Sequence, residues 1–194
     1  LLSIPYAFKM TYLTIPFTDK YLSAREDLVK YWKRKIGSSG FKIGIAWQGS
    51  DTDADRFRSF KPREFEILLS LKNIRLISLQ KNSELENFHK DIKINIEDFS
   101  KEIDLGDQAF LDTAAIIENL DLVITCDTSI AHLSGALNCP TWIMLGAKHD
   151  WRWFLNNDNS VWYPSVKLFR QIELENWKLP FENLKQTLKN DYKL

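Results

Sequence analysis

The chain has 194 residues, 44% of them hydrophobic, enough to fill the core of one good-sized domain and too many for wholesale disorder. Lysine plus arginine and aspartate plus glutamate each number 26, so no net field draws the chain to nucleic acid or to an anionic membrane. No stretch approaches the roughly 18 consecutive apolar residues of a membrane span.

The opening "LLSIPYAFKMTYLTIPF" lacks an initiator Met, a basic n-region and a small-residue cleavage site, so it is no signal peptide and reads as the middle of a longer polypeptide. Pro5 and Pro16 break it into a linker suited to packing on something else. Ser23-Ala24-Arg25-Glu26 has the pattern of a capping box, and Leu28, Val29, Trp32 and Ile36 follow at helical spacing until "GSSG" (37–40) ends the helix. The sequence then alternates. Strands are predicted at 41–47, 74–80, 92–96, 122–126, 141–145 and 166–171, and helices at 62–71, 83–90, 109–120, 130–137 and 181–189. Cys126 and Cys139 sit in apolar surroundings and fit reduced, buried thiols of a cytosolic protein.

Strands alternating with helices through short connections predict an α/β, Rossmann-like, doubly wound parallel sheet. The domain is expected over residues 38–172, preceded by a linker and connecting helix (1–37) and followed by a terminal helix (173–194). Ligands of such sheets bind outside the carboxyl ends of the strands, where three loops carry chemistry. In 127–132, "DTSIAH", Thr128 and Ser129 fall at a helix start, whose free N–H groups and dipole favour an anion. Asp127 suits sugar hydroxyls or a helix cap, and His132 can donate to a phosphate oxygen. Spacing alone favours the plainer alternative of an N-cap and a satisfied core histidine. In 47–62, Gly49 and Ser50 allow close backbone approach, and Arg58 can neutralise a departing diphosphate. Arg56 and Lys61 read as a solvated charged face, and "DTD" (51–53) is too common a pattern to mark a metal site. In 80–86, Glu84 suits a ribose or sugar hydroxyl, or simply an exposed helix start. The aromatic residues Trp151, Trp153, Trp162 and Tyr163 read mainly as core, with Trp151 nearest the cleft. No glycine-rich dinucleotide loop, P-loop or nucleophile elbow is present.

"GIAWQGSDTDADRFRSFKPREFEILL" (44–69), "ISLQK" (77–81), "FLDTAAIIENLDLVITCDTSIAHLSGALNCPTWIML" (110–145) and "DWRWFLNNDNSVWYPSVKLFRQ" (150–171) together resemble the C-terminal domain of proteins related to the ADP-heptose:lipopolysaccharide heptosyltransferases, glycosyltransferase family nine. The resemblance covers nearly the whole chain and is greatest to the bacterial group in which this domain follows tetratricopeptide repeats. It implies half of a GT-B architecture, with a nucleotide-diphosphate sugar as donor substrate, no cofactor and no metal, and inversion at the anomeric carbon. It implies that Asp127 contacts the donor sugar, that Thr128, Ser129 and His132 hold the diphosphate, that Arg58 stabilises the leaving group and that Glu84 meets the nucleoside. Ser129 stands where heptosyltransferases carry Gly, and Arg58 where they carry Lys, so the resemblance does not fix ADP-heptose as donor. The general base and acceptor site are implied to lie in a missing N-terminal domain. The acceptor is then a glycan, a lipid-linked group or a protein, and the location cytoplasmic or peripheral to the inner membrane. Two other readings stand beside this one: a non-catalytic nucleotide- or protein-binding module of the same fold, and an unrelated sugar-nucleotide enzyme such as an epimerase, which the missing glycine-rich loop disfavours.

Overall fold

The computed structural model describes residues 3–11, 13–16, 19–49, 57–81 and 93–194. Its strands are β1 (Phe41–Ala46), β2 (Ile74–Ser78), β3 (Ile96–Glu97), β4 (Leu122–Cys126), β5 (Thr141–Leu145) and β6 (Val166–Arg170). Among the described residues they form one sheet, every pair parallel, in the order β3-β2-β1-β4-β5-β6. The expected doubly wound α/β fold is therefore present. The order reverses between β1 and β4, and there the loops leaving the strands diverge and open a crevice.

The helices are α1 (Ile4–Ala7), α2 (Glu26–Ile36), α3 (Leu111–Ile117), α4 (Ser129–Ala136) and α5 (Lys178–Tyr192), with a 310 segment over Pro62–Ser70. Side-chain alternation along the strands divides the core. Ile43, Ile45, Leu122 and Ile124 pack with Phe65 and Leu68 of the 310 segment and with Phe181, Leu184 and Leu188 of α5. Ala46, Ile77 and Val123 pack on the other face with Trp32 and Ile36 of α2 and with Ala114 to Ile117 of α3. Because β4 and β5 are buried on both faces, they are continuous apolar runs rather than alternating ones. Each fully buried large side chain contributes about 1.5–3 kcal/mol of hydrophobic stabilisation.

Several boundaries differ from the sequence expectations for physical reasons. The segment after Lys61 is 310 rather than α-helical; Pro62, Phe65 and Leu68 are its buried residues, and a repeat of three matches three residues per turn. The capping box does not form: Arg25 is the N-cap of α2 without a side-chain bond, while Ala24 N donates to Glu118 Oε1 at 3.0 Å. Helix α2 relies instead on Glu26 and Asp27 in its first turn and Lys33, Arg34 and Lys35 in its last, which complement its dipole. The third strand shrinks to Ile96–Glu97, and the terminal helix begins earlier than expected, at Lys178. That helix buries Pro180, Phe181, Leu184 and Leu188 on this domain's own sheet, so much of the apolar face expected to meet a partner domain is used within the chain. The expected helix at 83–90 lies outside the described residues. No helix among the described residues is long and apolar enough to cross a membrane.

Candidate functional site

The loops leaving β1, β2, β4 and β5 surround a cavity of about 440 Å³ at the point where the strand order reverses. Gln48, Gly49 and Arg58 come from the first loop, and Gln80 and Lys81 from the second. Asp127, Thr128, Ser129 and His132 come from the corner between β4 and α4, and Arg152 from the loop after β5. Asp104, Phe110 and Thr113 complete the wall beside α3. Six expected site residues, Gly49, Arg58, Asp127, Thr128, Ser129 and His132, thus converge on one cavity. Ser50 and Glu84, with Arg56 and the "DTD" stretch, lie outside the described residues. Lys61 is exposed and lines no part of the cavity.

The β4–α4 corner is not a plain N-cap. Thr128 is the capping residue in extended conformation, and its side chain makes no capping bond. Its hydroxyl lies 3.3 Å from that of Thr125. The first N–H groups of α4 therefore keep their pull on an anion, with Ser129 exposed beside them. Asp127 is 2% exposed, yet its Oδ2 accepts no hydrogen bond from any described protein group. A buried carboxylate oxygen without a donor costs free energy, and it has the capacity to accept one more hydrogen bond. The Asp127 carbonyl is used differently: Arg58 Nη1 donates to it at 3.2 Å, which holds the guanidinium against the corner.

Arg58 is positioned from beneath as well. Gly146, at the end of β5, is buried against the backbone of Phe57, and a Cβ built there would lie 2.0 Å from the Phe57 carbonyl oxygen. Lys148 Nζ sits 4.8 Å from the centre of the Phe57 ring. Only glycine permits this approach of the two loops. Gly49 N is occupied by Ser59 Oγ at 3.3 Å.

His132 is both core and site. Its ring stacks on Trp153 with centroids 5.3 Å apart, and its Nδ1 lies 3.0 Å from the Tyr163 hydroxyl. With Tyr163 donating to Nδ1, the neutral ring carries its proton on Nε2 and is a donor there. Burial holds the imidazole below its ordinary value of 6.5, and the Arg152 charge acts in the same direction against smaller opposing effects of Asp127 and Asp150. Burial also raises the Tyr163 phenol, helped by the Tyr21 hydroxyl, so it stays protonated.

The aromatic signature is the brace of this arrangement. Asp150 Oδ1 accepts from Arg152 N at 3.0 Å, and the Trp162 indole donates to the Arg152 carbonyl at 2.8 Å. Arg170, from "LFRQ", donates to the Trp153 carbonyl at 2.6 Å and the Asn157 carbonyl at 2.8 Å. Trp153 is core, as expected, while Trp151 is half exposed and does not line the cavity. Sequence reasoning missed Phe110, Asp104, Lys81 and Arg152. Phe110 and Asp104 both have left-handed backbone, φ 66° and 49°. Nothing in the sequence marks a phenylalanine for that conformation.

In comparison with known proteins, no family model matches the chain. Protein FlbA of Caulobacter vibrioides is 30% identical over 171 residues, covering 84% of this chain and 28% of its own. Among solved structures, the Escherichia coli ADP-heptose LPS heptosyltransferase II superimposes over 88% of this chain and 54% of its own, with a TM-score of 0.60 at 14% identity. The fold is heptosyltransferase-like. A family 9 glycosyl transferase from Veillonella parvula superimposes with a TM-score of 0.57 at 12% identity, over 88% of this chain and 46% of its own. The chain thus spans about half the length of these structures and under a third of FlbA.

Proposed function

We propose that this heptosyltransferase-like chain is the donor-binding domain of a metal-independent, inverting glycosyltransferase that uses a nucleotide-diphosphate sugar. The observation that carries the reading is the β4–α4 corner. An uncapped helix start, the Arg58 guanidinium and a buried Asp127 oxygen lacking a donor share one cavity of about 440 Å³, a volume suited to a small ligand. Thr128, Ser129 and the first N–H groups of α4 bind the diphosphate, Asp127 accepts from sugar hydroxyls, and His132 donates through Nε2. Across the sheet, Phe110 and Gln80 stand at the β2 end, where the nucleoside is placed.

In the reaction an acceptor hydroxyl attacks the anomeric carbon, its proton passes to a base on a second domain, and the nucleoside diphosphate leaves with the sugar's former bonding pair. Arg58 and the α4 terminus stabilise the charge that develops on it. The similarity to an ADP-heptose enzyme supports the donor class and leaves the base and sugar open. The second domain, with or without tetratricopeptide repeats, and the cytoplasmic location belong to the same proposal.

Titration calorimetry with ADP, UDP, GDP and their sugar conjugates tests it. Saturable binding is expected, with affinity for the sugar conjugate falling about 10-fold or more in Asp127→Ala; sugar-conjugate binding that survives the substitution unchanged would remove Asp127 from the donor site. A non-catalytic protein-binding module is favoured by one observation. A second hollow of about 670 Å³ runs along His149–Asn157 beside Trp151, 49% exposed, and Leu155, 77% exposed. Failure of the longer protein to transfer sugar from any nucleotide it binds would select that reading.

A further inference from the structure

We infer that Arg152 is a second phosphate-binding residue of this site, taking the phosphate farther from the nucleoside and so setting a preference for diphosphates over monophosphates. The inference rests on the donor-binding reading. Arg152 enters the cavity from the loop after β5. Its backbone is fixed at both ends, with N bonded to Asp150 Oδ1 and the carbonyl to the Trp162 indole. Its Nε pairs with the same Asp150 oxygen at 3.2 Å. That ion pair draws the guanidinium toward Asp150 without a hydrogen bond, and the buried Nε has no hydrogen-bond partner among the described residues. A planar guanidinium that lines a cavity and keeps a buried N–H unpartnered can grip two phosphate oxygens.

The neighbouring charges say which anion. Lys81 is engaged, donating to the Asp104 carbonyl at 2.6 Å, and Arg58 is anchored on the Asp127 carbonyl at the middle of the sheet. A single phosphate at the α4 terminus is served by Arg58 and the helix N–H groups. A diphosphate brings further charge that these cannot balance. The sheet order β2-β1-β4-β5 runs from Gln80 and Phe110, through Asp127 and Arg58, to Arg152, so Arg152 meets whatever lies beyond the first phosphate. The Arg152 charge is also felt at His132, which disfavours an imidazolium there and leaves Arg152 as the cation on that side.

The test is calorimetric titration of the chain and of Arg152→Gln and Arg152→Lys with ADP, UDP, GDP and the corresponding monophosphates, with thermal melts to verify folding. Arg152→Gln is expected to weaken the preferred diphosphate about 10- to 100-fold, the loss of one or two charge-assisted bonds, and to leave the monophosphate unchanged. Arg152→Lys retains part of the preference. Equal weakening of both nucleotides would reduce Arg152 to a brace of its loop, and no weakening of either would remove it from the site. Both results overturn the inference while the donor-binding reading stands. A parent chain that binds no nucleotide overturns the two together.

Discussion

Two acid-bearing helix starts face the same cavity and are built in opposite ways. At α3, Asp104 is 3% exposed and fully used. Its Oδ1 accepts from Asp112 N at 2.8 Å and Thr113 N at 3.3 Å, and its Oδ2 from the Thr113 hydroxyl at 2.5 Å. Asp112 in turn accepts from Asp104 N and from the Trp32 indole at 2.8 Å, which ties α2 to α3. At α4, Asp127 is as deeply buried, but the helix start takes no side-chain cap and the Asp127 Oδ2 has no donor among the described residues. The same residue type at the same kind of corner is therefore fully bonded in one place and, in the other, keeps an oxygen without a donor among the described residues. Hydrogen-bond satisfaction, rather than burial or residue type, separates them.

Substitution at the two corners should dissociate the two properties. Asp104→Ala strands several buried donors and is expected to cost about 2–4 kcal/mol in denaturant unfolding, with nucleotide affinity following only through the loss of folded protein. Asp127→Ala removes a buried carboxylate whose Oδ2 has no hydrogen-bond partner among the described residues. It should leave the unfolding midpoint unchanged or slightly raised while donor-sugar affinity falls about 10-fold or more, as for a lost charge-assisted bond. Matching stability losses in the two variants would erase the distinction.

Gly146→Ala is intermediate. Its methyl would meet the Phe57 carbonyl, and the forced shift is expected to cost about 1–3 kcal/mol and to move Arg58, so affinity and stability fall together. The His132 effect is smaller and depends on pH. Its folded-state pKa lies below the ordinary 6.5, so on acidification the unfolded chain takes up the proton first. Stability is complete above about pH 6.5 and declines as pH falls toward the lowered value. His132→Gln should flatten that slope in unfolding measured between neutral and mildly acidic pH. The smallest effect is at the thiols. Burial pushes Cys126 and Cys139 up to about 12, so alkylation of the folded chain at neutral pH should be slow at both and become fast only on unfolding.

Much of the fold could be read from sequence because buried parallel strands are continuous apolar runs, and "LVITC" and "TWIML" can hardly be anything else in an alternating chain. The site was legible where residues cluster in a loop after a predicted strand: Asp127, Thr128, Ser129 and His132 fall within six residues of chain, and Gly49 and Arg58 share the loop after β1. Arg152 was hidden inside an aromatic signature whose conspicuous members mostly pack, and Asp104 inside a loop with no periodicity. Their roles depend on partners that topology supplies, Asp150 and Trp162 for one, Asp112 and Thr113 for the other. The capping box failed for a similar reason: Glu118, distant in sequence, binds the Ala24 N–H and fixes the chain there, and the helix starts later, with Arg25 as its N-cap.

Arg170 illustrates how far the consequences of one side chain can travel. It lies in β6 and lines no part of the cavity, yet it holds the carbonyls of Trp153 and Asn157 and abuts His149 Nε2 at 2.8 Å. A genetic screen scoring only lost activity would rank it with residues that touch substrate. Under the donor-binding proposal, the cavity side chains can vary one at a time, whereas a change at Arg170 would free the carbonyls of Trp153, on which His132 stacks, and of Asn157 together. Variation should therefore be tolerated around the mouth of the site and forbidden at this remote strand end.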